Sequence, residues 1–176
     1  GPLREADPRT LANRVSQQQK RLRDALRATA ATAGVLGPDE PPPFVVDAYN
    51  VSVRRDGGST SCEAVVKVRI GEQSEHRVAE GDGPVNALDA ALRAALVRYY
   101  PQLGEVTLTD YKVRIIDSRS GTAARTRVII HSSDGTAEWG TVGVNDNIVE
   151  ASLQALVDSL EFALVRPGIA SLTPVS

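Results

Sequence analysis

Apolar and polar residues alternate with period two across residues 44–79, and the same rhythm returns across 106–143. Each alternating block runs into a stretch of helical period. In the first block, 44–54, 62–70 and 74–79 read as strands, separated by Gly57-Gly58 and Gly71-Glu72. Within 44–54 the alternation sets Val46 and Ala48 on one face and Val45, Tyr49, Val51 and Val53 on the other. Gly81-Asp82-Gly83-Pro84 then opens a helix that runs to Tyr100, with Gly83 as N-cap and Pro84 in the first turn. In the second block the strands are 106–116, 123–131 and 136–143, with turns at Ser118–Gly121 and Asp134-Gly135. Asn147 followed by Glu150 is a capping-box spacing that starts a second helix, which runs to about Arg166. The pattern predicts an α+β fold: one βββα unit repeated twice with pseudo-two-fold symmetry, each helix covering one sheet face.

The repetition is visible in the residues themselves. Residues 78–96 and 142–160 align without a gap at an offset of 64, with seven identities in nineteen positions. The copies differ where the helix begins. Copy one carries Gly81, Gly83 and Pro84; copy two has Asn145, Asn147 and Ile148. Two glycines at a helix start leave N–H groups open to an anion such as a carboxylate, whereas asparagine caps its own helix.

Upstream, Asp7-Pro8 opens an isolated amphipathic helix whose stripe is Leu11, Val15, Gln18, Leu22, Leu26 and Ala30, ending near Gly34. Its other faces are polar and basic. Gly37 to Pro43, with three consecutive prolines, is a stiff linker. The expected organisation is residues 1–36 (tag remnant and helix), 37–43 (linker), 44–167 (main domain) and 168–176 (tail). The chain has no methionine, so Gly1-Pro2 reads as a protease scar or the edge of an excised piece.

Composition narrows the function classes. The formal net charge is −2 over 176 residues, which supplies no general attraction to nucleic acid or anionic membrane. No segment reaches the roughly 18 apolar residues of a membrane span. A single cysteine, Cys62, fits a reducing, cytoplasmic setting and reads as a small apolar residue. His76 and His131 stand alone, without metal-ligand spacing, and no nucleophile–base arrangement is visible. An enzyme built on this chain alone is therefore disfavoured. Asp82, Asp89, Asp146 and Glu150 sit where helix starts favour acids. Gly81-Asp82-Gly83-Pro84 is the one unusual element. Tyr111, with an apolar ring and a hydroxyl, lies on a strand expected to border the first helix.

Four blocks in order, EGDGPVNALDAALRAAL (80–96), DYKVRIID (110–117), GTAARTRVIIHSSDG (121–135) and WGTVGVNDNIVEASLQALVDSLEFAL (139–164), resemble the C-terminal regulatory domain of the 2-isopropylmalate synthase family, most of all its citramalate synthase branch. The resemblance covers residues 44–166. It implies a non-catalytic domain that forms a homodimer, binds isoleucine or leucine as end-product effector, and carries no cofactor or metal of its own. The family's catalytic part, a TIM barrel with an HxH metal site, has no counterpart here and is implied only as an attached domain or separate subunit. Mapped by motif, the resemblance implies an effector site at Gly81, Asp82, Gly83, Val85, Leu108, Tyr111, Ile115, Ala123 and Val144. Leu108 and Ile115 would wall an aliphatic side chain; Asp82 or turn carbonyls would accept from the ammonium. The segment 1–43 falls outside the resemblance. It leaves open a second reading, an interaction module of the same fold docking on a separate partner through its N-terminal helix.

Overall fold

The computed structural model describes residues 42–116 and 125–165. The N-terminal helix, the 118–121 turn, Ala123 and the tail lie outside them. The described part consists of two three-stranded antiparallel sheets and two helices, one βββα unit after another. Unit one comprises β1 (Val45–Asp56), β2 (Ser59–Ile70), β3 (Gln73–Gly81) and α1 (Pro84–Leu96). A 3₁₀ turn, Pro101–Glu105, leads to unit two: β4 (Thr107–Ile115), β5 (Thr126–Ser133), β6 (Glu138–Asn145) and α2 (Ile148–Val165). The sheet orders are β1-β2-β3 and β4-β5-β6.

Each sheet has an inner face, covered by helix, and an outer face. In β2 the inner residues are Cys62, Ala64, Val66, Val68 and Ile70, all buried. In β5 they are Val128, Ile130 and Ser132. α1 lies across β2 and β3, and α2 across β5 and β6. The core is continuous between units, running from Leu88, Leu92 and Leu96 through Leu103 and Val106 to Leu156 and Leu160. Burying one such leucine stabilises by roughly 1.5–3 kcal/mol.

Two glycines permit the helices to approach this closely. A Cβ on Gly81 would stand 2.5 Å from the Ala87 nitrogen, and one on Gly143 only 1.8 Å from the Ala151 carbonyl oxygen. Gly81 is therefore a packing residue for α1 as well as the start of the glycine turn. Polar groups under α2 are paired: Trp139 Nε1 donates to Ser159, whose hydroxyl also pairs with Ser132 at 2.6 Å.

Several boundaries and faces differ from the alternation-based expectation. α1 ends at Leu96 rather than Tyr100, because the Tyr99 and Tyr100 N–H groups both return to the Leu96 carbonyl and Pro101 begins a 3₁₀ turn. The Arg93 guanidinium stabilises this exit by donating to the Leu103 and Val106 carbonyls while holding Asp89 at 3.0 Å. Asp89 is thus a half-buried ion-pair partner more than a helix-start acid. Burial raises its carboxyl pKa, against the opposing pull of Arg93. Both first strands carry a bulge, at Val46/Ala48 and Leu108/Asp110. A bulge inserts one residue and reverses the alternation. Val46 therefore joins Tyr49 and Val51 on the inner face instead of opposing them, and Leu108 shares a face with Tyr111.

Candidate functional site

The glycine turn joins β3 to α1. Gly83 is the N-cap with extended backbone (φ −143°), Pro84 follows, and no side chain caps the first turn. Nothing lies within 4 Å of the position a Gly83 Cβ would take. Asp82 is exposed, while Val85 turns into the core. At the matching point of unit two the helix start is closed. Asn147 Oδ1 accepts from the Val149 and Glu150 N–H groups, and Asn145 Oδ1 accepts from Asn147 N–H. The two starts thus differ as their residues require: one has an open first turn, the other a capped one.

The second element is β4, an edge strand that the helices leave largely uncovered. Its inner face presents Leu108, Tyr111, Val113 and Ile115. Cross-strand neighbours of this stripe, Ile130 and Val128, are fully buried, yet Tyr111 is 39%, Val113 38% and Ile115 69% exposed. An apolar face on the core side of a sheet, left open, marks a surface made to be covered.

Tyr111 does not border α1. Its hydroxyl lies 3.2 Å from Ser152 Oγ, on α2. β4 pairs with β5 and so belongs to the sheet that α2 covers, which sets this neighbour. The equivalent tyrosine of unit one, Tyr49, crosses between units and donates to Glu150 Oε2 at 2.6 Å. Glu150 therefore does not close the expected capping box by reaching back to Asn147. Both tyrosines stand on the inner face just past a bulge, and both end on the first turns of α2. Burial first, and then the Glu150 carboxylate, push the Tyr49 phenol up to about 12.

This bond allows a stability test. Removing the hydroxyl in Tyr49→Phe is expected to cost about 1–2 kcal/mol at neutral pH. A phenol whose pKa is raised on folding contributes fully below its unfolded value, near 10, and the contribution is lost as pH rises through about 12. The wild-type advantage in urea unfolding should therefore shrink between pH 10 and 12. A constant difference across that window would exclude the bond as its source.

The remaining site positions are dispersed. Val144 lies on the outer face of its sheet, opposite to Leu108, Tyr111 and Ile115, and its N–H donates to Gln154 Oε1 at 3.3 Å. Ala123 is outside the described residues. Val113 on the stripe, Ser152 beside the Tyr111 hydroxyl and Tyr49 carry no motif that marks them as site residues, and Glu150 reads in the sequence only as a capping acid. The signal for Tyr49 was its equivalence to Tyr111, each standing just past the bulge of its unit's first strand. Among the described residues no three His, Cys, Asp or Glu side chains converge as metal ligands. No described helix is long and apolar enough to cross a membrane.

With this geometry in place, comparison with known families is decisive. Residues 22–164 match the model of the LeuA allosteric (dimerisation) domain. The chain belongs to that family. The match begins upstream of the linker, earlier than residue 44. Among curated proteins, this LeuA-type domain is 57% identical over 102 residues to an (R)-citramalate synthase of Geobacter sulfurreducens, covering 58% of this chain and 19% of the relative. It is 48% identical over 125 residues to an (R)-citramalate synthase of Aquifex aeolicus, covering 70% and 24%. A 2-isopropylmalate synthase of Aquifex aeolicus is more distant, 31% identical over 103 residues, covering 58% and 18%. The citramalate synthases are thus nearer than the isopropylmalate synthases. The matched region spans about a fifth to a quarter of those relatives' length.

Proposed function

We propose that this chain is a non-catalytic, cytoplasmic regulatory domain that dimerises and binds a branched-chain amino acid, isoleucine ahead of leucine, to feedback-regulate a citramalate or 2-isopropylmalate synthase. The observation that carries the reading is the inner face of β4, an apolar stripe at a sheet edge that the described helices leave largely uncovered. A second copy would cover this face. The effector's aliphatic side chain would lie against Leu108 and the Tyr111 ring; Ile115, seven residues further along the strand and roughly 20 Å away, would instead meet the second copy. Its carboxylate would take the open N–H groups at the Gly83 helix start, and Asp82 would accept from its ammonium. A TIM-barrel domain or subunit would supply catalysis. Isoleucine is set ahead of leucine because the resemblance to the citramalate synthase branch implies isoleucine as end-product effector, and the identities to citramalate synthases are the higher ones. The two effectors differ only in methyl placement, a distinction of roughly 1–3 kcal/mol in a close-fitting pocket.

Gly83→Asp separates binding from folding. The extended backbone and open space at Gly83 accommodate an aspartate, so the melting temperature should hold while isoleucine affinity falls by more than tenfold, because the new carboxylate occupies the anion position. Unaltered affinity in calorimetry would refute the placement.

A further inference from the structure

We propose that the outer faces of the two sheets dock on each other between copies of this chain, the outer face of β1-β2-β3 on one copy seating on the outer face of β4-β5-β6 on the next. The starting observation is a pair of like-charge contacts. On the outer face of sheet one, Glu63 of β2 stands directly opposite Glu80 of β3. On the outer face of sheet two, Arg114 of β4 stands directly opposite Arg127 of β5. Directly opposed side chains on one face have Cβ atoms about 5 Å apart, and like charges there destabilise the sheet that bears them. Among the described residues no ion pair joins any of these four to an opposite charge, and the Nε of Arg127 is shielded without a hydrogen-bond partner. Each sheet therefore carries an unfavourable pair that a partner of the other sign would relieve, and the two pairs have opposite sign.

The register makes the complementarity specific. Arg127 occupies the position in unit two that Glu63 occupies in unit one, 64 residues earlier. The next outer row inward holds Val65 opposite Val78, the latter 58% exposed, on sheet one, and Ile129 opposite Val142 on sheet two. Because the units share one topology, turning sheet two over with β5 parallel to β2 lays β5 on β2 and β4 on β3. Glu63 then meets Arg127, Glu80 meets Arg114 and Val65 meets Ile129, while Val78 lies along the aliphatic stem of Lys112. One row further, His76 of β3 faces Asp110 of β4. Aligned stacking is the usual way two sheets pack.

The contact joins two different patches, so it is heterologous and is separate from the β4 stripe on the inner face. A face of three strands and four rows covers roughly 400 Å² per partner, the size of a weak contact. Its charge pairs lie at a rim open to solvent, so it is salt-sensitive.

Sedimentation of the full chain over a range of concentrations, at low and high salt, tests this with two charge-reversed variants. Glu63→Lys with Glu80→Lys, and Arg114→Glu with Arg127→Glu, each preserve the like-charge repulsion within a sheet while making both outer faces the same sign. The expected result is a salt-sensitive rise in mean mass for the wild-type chain, at least tenfold weaker association for each variant alone, and recovered association when the two variants are mixed. Any mass set by the β4 stripe is common to all samples, so failure here leaves the dimer and effector reading standing. A mixture that sediments no faster than its components, or a wild-type mass indistinguishable from both variants, overturns the proposal.

Discussion

Alanine at position 143 is expected to lower the melting temperature by about 10 °C, the largest stability effect of any single methyl group in the described chain. The added Cβ would lie 1.8 Å from the Ala151 carbonyl oxygen, 2.8 Å from the Ala151 carbonyl carbon and 3.1 Å from the Ala155 nitrogen. All three are backbone atoms of α2, so no flexible side chain can yield. Either the helix lifts from β6, opening the contacts of Thr141 and Trp139 beneath it, or the strand bends away. Overpacking of this kind costs about 3 kcal/mol, at the upper end of the usual range. For a domain of this size each kcal/mol moves the midpoint by roughly 2–4 °C. Gly104→Ala is the control, since a Cβ there meets nothing within 4 Å. Thermal unfolding of the pair followed by circular dichroism checks this. Equal midpoints would mean that α2 does not sit this close to β6.

The second large effect concerns association. Val113→Asp combined with Ile115→Asp is expected to weaken the dimer at least a hundredfold, leaving a folded monomer. In one chain Ile115 is 69% and Val113 38% exposed on the inner face of β4, so the isolated fold depends little on Ile115 and only in part on Val113. In a dimer built on this stripe both would be buried, Ile115 contributing roughly 2–3 kcal/mol and Val113, already partly covered, about 1 kcal/mol. A hundredfold change corresponds to roughly 3 kcal/mol, which the two contributions together supply. Sedimentation equilibrium of wild type and variant reads the result directly. A variant that keeps the wild-type dissociation constant would place the dimer contact elsewhere.

The strands and helices were legible because alternation and helical periodicity are what half-buried sheets and covering helices require. The two N-caps were legible as well. Gly83-Pro84 and Asn147 each begin a helix in the way their own chemistry dictates, one with an open first turn and one with a side-chain cap. Alternation misled at the bulges, since one inserted residue exchanges the faces. The inward position of Val46 and the shared face of Leu108 and Tyr111 follow from pairing register, which a single strand does not display. Gly143 was silent for a different reason. A glycine inside a strand reads as a weak strand residue, and the need for it arises only when α2 crosses above.

The candidate site was legible in part. The glycine turn and the β4 residues stood out by motif. The joining of Tyr49 to Glu150 depends on contact between units 101 residues apart, and Glu150 had a sufficient local explanation as a capping acid. Val144 shows the opposite limit. It neighbours a capped helix start in the chain, but one position along a strand is enough to put it on the other side of the sheet from Tyr111.

The central claim is that this domain senses a branched-chain amino acid. Calorimetric titration of isoleucine, leucine and valine into the wild-type chain, paired with thermal shifts at saturating ligand, tests it most directly. Saturable binding with isoleucine tightest, and an elevated melting temperature in its presence, is the predicted result. No heat and no thermal shift with any of the three would contradict it.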